Sequence, residues 1–267
     1  MRHFFMRIQS FVRRLQWLGR YMPGYPAAAV YMIKTKFSKD HAGTASYKGR
    51  SFSFYPRDMS AIREVLADNE YVFLSPYLKK IPSPVILDTG AHIGLFSLWA
   101  LGENPSARIL SLEASPETYQ TLSRNVAEAN KGGSQWAALH GAAWKNDELI
   151  SFATSGDSMG HKVSSAPGGQ FIKGVSLAAL MEEVSARYGA SRVDLLKIDI
   201  EGAEEAFITP YESLLQNVGQ IAIELHPKSC DTDKVRAILS KYYTHIVPCT
   251  DRLSQKPLLH CYNTVNA

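Results

Sequence analysis

The 267-residue chain is 45% apolar and 20% charged, ordinary proportions for a chain that buries one large core. Its net charge of +4 hides an asymmetry: residues 1–39 hold eight Lys or Arg and no Asp or Glu, which leaves 21 basic and 25 acidic residues in the other 228. That mildly acidic remainder argues against nucleic acid as a partner, and no apolar run approaches the ~18–20 residues of a membrane span.

In chain order, residues 1–39 read as a basic amphipathic leader. Phe4, Ile8, Phe11, Leu15 and Leu18 form one stripe of a helix over residues 3–18, with Arg2, Arg7, Arg13, Arg14 and Arg20 supplying charge. Three readings stand: a helix docked on its own domain or on a second subunit, a peripheral membrane contact through residues 1–22, or an organelle transit segment. Pro23, Gly24 and Pro26 break the chain, and a second apolar patch runs from Ala27 to Ile33. Residues 40–82 form an N-terminal extension. It holds a hairpin over residues 44–56 turning at Gly49, then a helix capped by Asp58 or Ser60 and ending near Asp68. Pro82 and Pro84 lead into the main domain, residues 83–267.

From Val85 onward strands and helices alternate. Strands are expected at Val85–Leu87, Arg108–Leu112, Gln135–Ala143, Leu149–Thr154, Val193–Ile198 and Gly219–Leu225. Helices are expected at Gly94–Leu101, from Pro116 to about Ala129, from Ser176 to Tyr188, over 203–216 and over Thr232–Lys241. Residues 155–174 are rich in Ser and Gly. They read either as a lid over the site, with Ser158, His161, Lys162, Ser164 and Ser165, or as a surface excursion. His245–Val247 and Pro257–Tyr262 pair as a closing hairpin. The three cysteines, Cys230, Cys249 and Cys261, have no C-x-x-C spacing and point to a reducing compartment, expected to be the cytoplasm with membrane association left open. The pattern predicts an α/β fold: a doubly wound, mainly parallel, seven-stranded Rossmann-like sheet with a helical and hairpin extension at its N-terminus.

In such sheets ligands bind beyond the carboxyl ends of the strands. Polar residues stand at four of those ends: Asp88 with its glycine loop, Glu113, Asp199 with Glu201, and Glu224 with His226. The first loop reads Asp88-Thr-Gly90-Ala91-His92-Ile-Gly94. It lacks the G-x-G-x-x-G of a dinucleotide site, and the chain has no G-x-x-x-x-G-K-[ST] phosphate loop. An adenosine ligand without a pyrophosphate fits better. S-adenosylmethionine is the candidate, with Glu113 accepting from the ribose hydroxyls and the glycine loop beside the amino-acid end.

The stretches LDTGAHIGLFSLWA, LSLEASPETYQTLSRNVAEAN, HGAAWKNDELISF, LLKIDIEGAEEAFI and IAIELHP occur in this order. In that order and spacing the chain resembles the FkbM family of S-adenosylmethionine-dependent methyltransferases over roughly residues 83–228. The resemblance implies the doubly wound methyltransferase fold and O-methylation of a hydroxyl on a sugar, polyketide or related metabolite. By motif position it makes Asp88, Gly90, Gly94 and Glu113 cofactor contacts, places Ala142 and Ala143 beside the adenine, and adds Ala91, His92, Ala114 and Asp199 to the cofactor set. His92 departs from the usual Asn of the family, and Ala114-Ser115 from a Pro directly after the Glu.

Methyl transfer to an alcohol needs an acceptor for the hydroxyl proton. Asp199, Glu201, Glu224 and His226 are the catalytic candidates, with Asp199 or His226 as base. Asp199, Glu201 and His226 would also suit a divalent cation, but two acids at i and i+2 do not make a metal motif, and no metal is expected. The expected acceptor is a small molecule, a glycan or a lipid-linked sugar. The competing readings are a nicotinamide-dependent oxidoreductase and a non-catalytic methyltransferase-like scaffold at a membrane.

Overall fold

A computed structural model describes residues 2–38, 40–153, 162–163, 170–249 and 256–264, and the side chains of 11–38, 40–151, 171–249 and 256–264. The chain opens with a helical pair, α1 (Arg2–Tyr21) and α2 (Gly24–Lys34), split by the Pro23-Gly24 break. The hairpin β1 (Gly43–Tyr47) and β2 (Arg50–Phe54) follows, antiparallel, with Lys48 and Gly49 both at positive φ in its turn. The expected helix ends near Asp68, as predicted, but changes turn type along its length. A 3₁₀ turn over Pro56–Asp58 enters α3 (Met59–Ile62), which widens into a π-type turn over Arg63–Ala67. Asp58 does not cap α3 through its side chain; its Oδ2 accepts from the Tyr55 amide at 2.7 Å, and the residue is buried. Then comes α4 (Ser75–Lys80).

The main sheet is built from β3 (Val85–Thr89), β4 (Arg108–Glu113) and β5 (Gln135–His140), with α5 (Leu95–Glu103) and α6 (Pro116–Lys131) between them. Gly141 separates β5 from β6 (Ala142–Ala143), so the expected strand to Ala143 is two pieces. A small second sheet holds β6, β7 (Leu149–Ala153), β8 (Lys162–Val163) and β9 (Gln170–Val175). Residues 170–174 are therefore strand, not loop, while residues 154–161 and 164–169, with Ser158, His161, Ser164 and Ser165, lie outside the described residues. Next come α7 (Leu177–Tyr188), capped by Ser176 Oγ, then β10 (Val193–Ile198), α8 (Glu204–Ile208) and a 3₁₀ stretch over Thr209–Asn217. The chain closes with β11 (Val218–Glu224), α9 (Thr232–Leu239), β12 (His245–Pro248) and β13 (Leu258–Tyr262).

The seven strands lie in the order β12-β13-β11-β10-β3-β4-β5. All neighbours are parallel except β13, which runs antiparallel to both β11 and β12 as the closing hairpin. Each buried strand alternates between two cores. Ile86, Ile109, Leu195, Ala222 and Leu258 face one layer; Leu87, Leu110, Leu196, Ile221 and Leu259 face the other, under α7, α8 and α9. The first layer is continued by the N-terminal segments: Leu18, Ala28, Tyr31, Phe52, Phe54 and Leu74 are buried with Ile93, Leu98 and Trp99. The leader stripe thus turns inward at Phe11, Leu15 and Leu18; side chains of residues 2–10, Phe4 and Ile8 among them, lie outside the description. Asn125 ties the hairpin to this layer, accepting from Ser53 N at 2.7 Å and donating to Ser53 O and Ile93 O. All three cysteines are free thiols.

Candidate active site

Strand order reverses between β3 and β10: from β3 the chain goes one way to β4 and β5, and later returns to place β10 and β11 on the other side. The loops leaving those two strands diverge, and a cavity of about 280 Å³ opens between them. One wall comes from the β3, β4 and β6 ends, the opposite wall from the β10 and β11 ends, and part of the rim from Glu64, Glu70 and Tyr71 of the extension.

The first wall rests on the glycine loop. Gly90, His92 and Gly94 sit at φ +71°, +53° and +89°. A Cβ on Gly90 would lie 1.7 Å from Asp199 O, so glycine lets the β3 and β10 loops touch. His92 holds a left-handed conformation that Asn, Asp and His tolerate better than other side chains. The loop amides are spent within the protein: Gly90 N and Ala91 N donate to Leu112 O, and His92 N donates to Glu113 Oε2 at 2.9 Å. Glu113 Oε1 accepts from Ser115 N at 2.7 Å. Each Glu113 oxygen keeps a lone pair, and the carboxylate lines the cavity, which suits a pair of ligand hydroxyls. Burial pushes the Glu113 carboxyl up to about 7 against the pull of the Ser115 and His92 amides. Gly141, Ala142 and Ala143 line the same wall with side chains too small to fill it.

Asp88 and Gly94 stand behind this wall and do not line the cavity. Asp88 is fully buried, accepts from Ser97 Oγ at 2.7 Å and pairs with Lys197 at 3.5 Å; Ser97 leads on through Ser111 to the Trp136 indole. A Cβ on Gly94 would meet the Trp136 ring at 2.5 Å, so that glycine serves close packing at the start of α5. Both residues support the loop from behind the cavity lining.

The opposite wall is crowded with charge. Lys197 is buried and donates to Gly90 O at 2.8 Å while pairing with Asp88 and, at 3.6 Å, with Asp199. It is a strut under the glycine loop. Burial would lower the Lys197 ammonium, but Asp199 and Asp88 outweigh that and raise it. Glu201 holds φ +52°, a strained value for a non-glycine residue, followed by Gly202 at +106°. His226 is buried with Nδ1 2.7 Å from Glu204 Oε1 and Nε2 3.1 Å from Glu201 Oε2, and Asp199 and Glu224 lie 3.9 and 3.7 Å from Nε2. Burial alone would lower its pKa; the bonds to Glu201 and Glu204 raise it to about 10. These neighbours favour the imidazolium, and His226 stands behind the residues that line the cavity. For Asp199, burial pushes the carboxyl up, but Lys197, His226 and Lys256 hold it below the usual carboxylate range. Burial and the Asp199 charge push Glu224 up to about 8. Lys256 lies 3.0 Å from Glu201 and 3.7 Å from Glu224.

Asp199, Glu224 and His226 each offer a ligand atom, all within 4.8 Å of one another. Lys197 lies 3.6 Å from Asp199 and Lys256 3.7 Å from Glu224, so two ammonium groups stand beside these carboxylates. Of the remaining expected residues, Gly90, Ala91, His92, Glu113, Ala114, Ala142, Ala143, Asp199, Glu201 and Glu224 all line the one cavity. Sequence reasoning gave no role to Tyr71, Glu70, Lys256 or the buried Glu204. Glu204 lies in the Lys197–Glu204 motif and had a signal; Tyr71, Glu70 and Lys256 come from segments with no motif.

The family model for the methyltransferase FkbM domain matches residues 88–245. This chain belongs to the FkbM methyltransferase family. That membership removes the nicotinamide-dependent oxidoreductase reading. A methyltransferase of Sordaria araneosa, sdnD, is 30% identical over 171 residues, covering 53% of this chain and 64% of that protein, a little under two thirds of its length. The 31-O-demethyl-FK506 methyltransferase FkbM of Streptomyces tacrolimicus is 24% identical over 225 residues, covering 74% and 86%. Among solved structures, magnesium protoporphyrin IX methyltransferase of Synechocystis PCC 6803 with bound S-adenosylmethionine aligns at 12% identity and a TM-score of 0.45, covering 77% of this chain and 83% of that one. The FkbM assignment rests on the family match, and the fold on the strand order described above.

Proposed function

We propose that this FkbM-family protein transfers a methyl group from S-adenosylmethionine to a hydroxyl of a sugar, a glycan or another polyhydroxylated metabolite. The observation that carries the reading is one cavity with a hydroxyl-accepting carboxylate, Glu113, on one wall and an ionised carboxylate, Asp199, on the other. Glu113 would hold the ribose hydroxyls, and Gly141, Ala142 and Ala143 leave room for the flat adenine. The absence of free loop amides from residues 90–92 suits a ligand without a pyrophosphate. When bound, S-adenosylmethionine supplies a methyl group already activated by its sulfonium.

What remains for the chain is to position an alcohol and take its proton. Asp199 is the acceptor of that proton as the oxygen–carbon bond forms. Lys197 and His226 keep it ionised beforehand, so it is a weak base that is always ready. Glu224, protonated at neutral pH with its pKa near 8, donates a hydrogen bond to a neighbouring acceptor oxygen. Lys256 anchors Glu201 and faces the same space. A surface of carboxyl and ammonium groups suits a ligand with several hydroxyls, each able to donate and accept.

Calorimetric titration with S-adenosylmethionine and with its demethylated product tests the donor. Binding of neither would sink the proposal and leave the scaffold reading. Mass spectrometry of glycans and small metabolites with and without the protein then looks for the gain of one methyl group.

A further inference from the structure

The N-terminal helical pair carries a surface that the cleft does not explain. α2 has two clean faces. Ala28, Tyr31 and Met32 are buried in the core, and on the opposite side Val30 and Ile33 are each 51% exposed, continued by Phe37 at 86% just past the helix end. The spacing i, i+3, i+7 puts these three on one stripe, with Lys34 beside them. The pair is antiparallel: Gly19 meets the Tyr25 ring, and Lys36 Nζ lies 5.8 Å from the Phe11 ring. α1 therefore brings its own exposed Val12, Arg13, Arg14 and Arg20 alongside α2.

Charge decides what such a stripe meets. Arg13, Arg14, Arg20, Lys34 and Lys36 are exposed, no acid occurs in residues 1–39, and none of the five has a carboxylate partner among the described residues. Some surface cations elsewhere pair with acids, as Lys234 does with Glu205 and Lys241 with Glu212; the leader differs in carrying five such cations on one helical pair with no acid in its own sequence. Unneutralised cations flanking exposed apolar side chains have the form of an interfacial segment: apolar groups enter the acyl boundary while cations meet lipid phosphates. Nucleic acid would leave Val30, Ile33 and Phe37 in water. No helix among the described residues is long and apolar enough to cross a membrane.

We propose that the outer face of α2, with Val30, Ile33, Phe37, Lys34 and Lys36 at its centre and the α1 arginines at its edge, docks the protein on an anionic lipid surface. Of the apolar stripe that the sequence offered, Phe11, Leu15 and Leu18 are spent on the core, while the side chains of Phe4 and Ile8 lie outside the described ones; the proposed membrane-facing stripe is the one on the next helix. This surface is independent of the methyl-transfer reading.

Co-sedimentation of the full chain with phosphatidylcholine vesicles, with and without phosphatidylglycerol, tests it. Binding is expected with the anionic lipid alone and to weaken with salt. The double variant Lys34→Glu/Lys36→Glu should lower partition about 10-fold or more, since each cation near such a surface contributes roughly five-fold. Ile33→Ser/Phe37→Ser should do the same through the apolar half. Donor binding should stay unchanged in both, because none of these side chains lines the cavity. Four results would each overturn the proposal: equal binding to neutral vesicles, no vesicle binding, binding retained by both variants, or a lipid-free dimer dissociated by Phe37→Ser. A nucleic-acid gel shift lost in the lysine variant, with no vesicle binding, would assign the cations to another partner and overturn it too.

Discussion

The wall from Gly90 to Ala143 carries one carboxylate on the cavity and fixes it with two backbone amides; the wall from Asp199 to Lys256 crowds three carboxylates against two lysines and an imidazolium. In the first, the carboxylate is fixed by backbone amides, which a change of side chain at His92 or Ser115 need not remove. In the second, every charge sets its neighbours: Asp199 raises Glu224, while Lys197 and His226 lower Asp199. A binding wall can be assembled from separate contacts. A buried wall that keeps a carboxylate ionised, as the proposed base Asp199 requires, needs a coupled set of charges.

The largest effect should come where the two walls touch. Gly90→Ala puts a Cβ 1.7 Å from Asp199 O at φ +71°, and backbone on both sides gives no easy relief. It should cost about 4 kcal/mol or more in urea unfolding; a wild-type midpoint would break the idea that the glycine joins the walls. Next, Asp199→Asn should lower kcat about 100-fold or more with donor affinity changed much less. Equal losses in both would mean that Asp199 belongs to the binding wall. Glu204→Gln removes the charge behind His226 and should cost roughly 2 kcal/mol. His226 has its folded pKa near 10, above its usual 6.5, so its stabilisation is full below 6.5 and fades as pH rises through about 10. The variant should shrink that window, seen as an imidazole resonance titrating nearer the usual value. An unmoved titration would show that Glu201 alone holds the proton.

The smallest effect should be the most local. Glu113→Gln should weaken donor binding about 10-fold by calorimetry. It has a second signature in the ligand-free protein. The Glu113 carboxyl has a folded pKa near 7 against its usual 4.5, so the folded chain binds the extra proton and stability falls as pH rises between those values. The Gln variant should flatten that slope in urea unfolding. A slope left intact would mean that the proton uptake sits on the charged wall, at Glu224.

The binding wall was largely legible in the sequence. Asp88 to Gly94 and Glu113 are local motifs, and local chemistry limits them: a loop that must turn left-handed needs glycine, and a carboxylate at a strand end faces the cleft. Even there the sequence could not separate ligand contact from support. Asp88 and Gly94 lie within a few residues of Gly90 yet face inward, toward Lys197 and Trp136. The charged wall was legible as a set of residues and not as a circuit. The raised pKa of His226 follows from two chain segments meeting, with Glu201 and Glu204 from the β10–α8 segment closing on a ring that follows Glu224.

By itself the sequence determined the alternation of strands and helices, the lack of a pyrophosphate loop, the acidic strand ends and the acid-free leader, because periodicity, turn residues and charge are properties of neighbours along the chain. The tertiary structure decided which carboxylate stays ionised, which histidine carries a proton, that Tyr71 and Lys256 reach the cleft, and which face of the leader is left outside. Burial and electrostatic energy depend on distance in space, and residues such as Tyr71, Asp199 and Lys256 become neighbours only when the sheet brings its strand ends together.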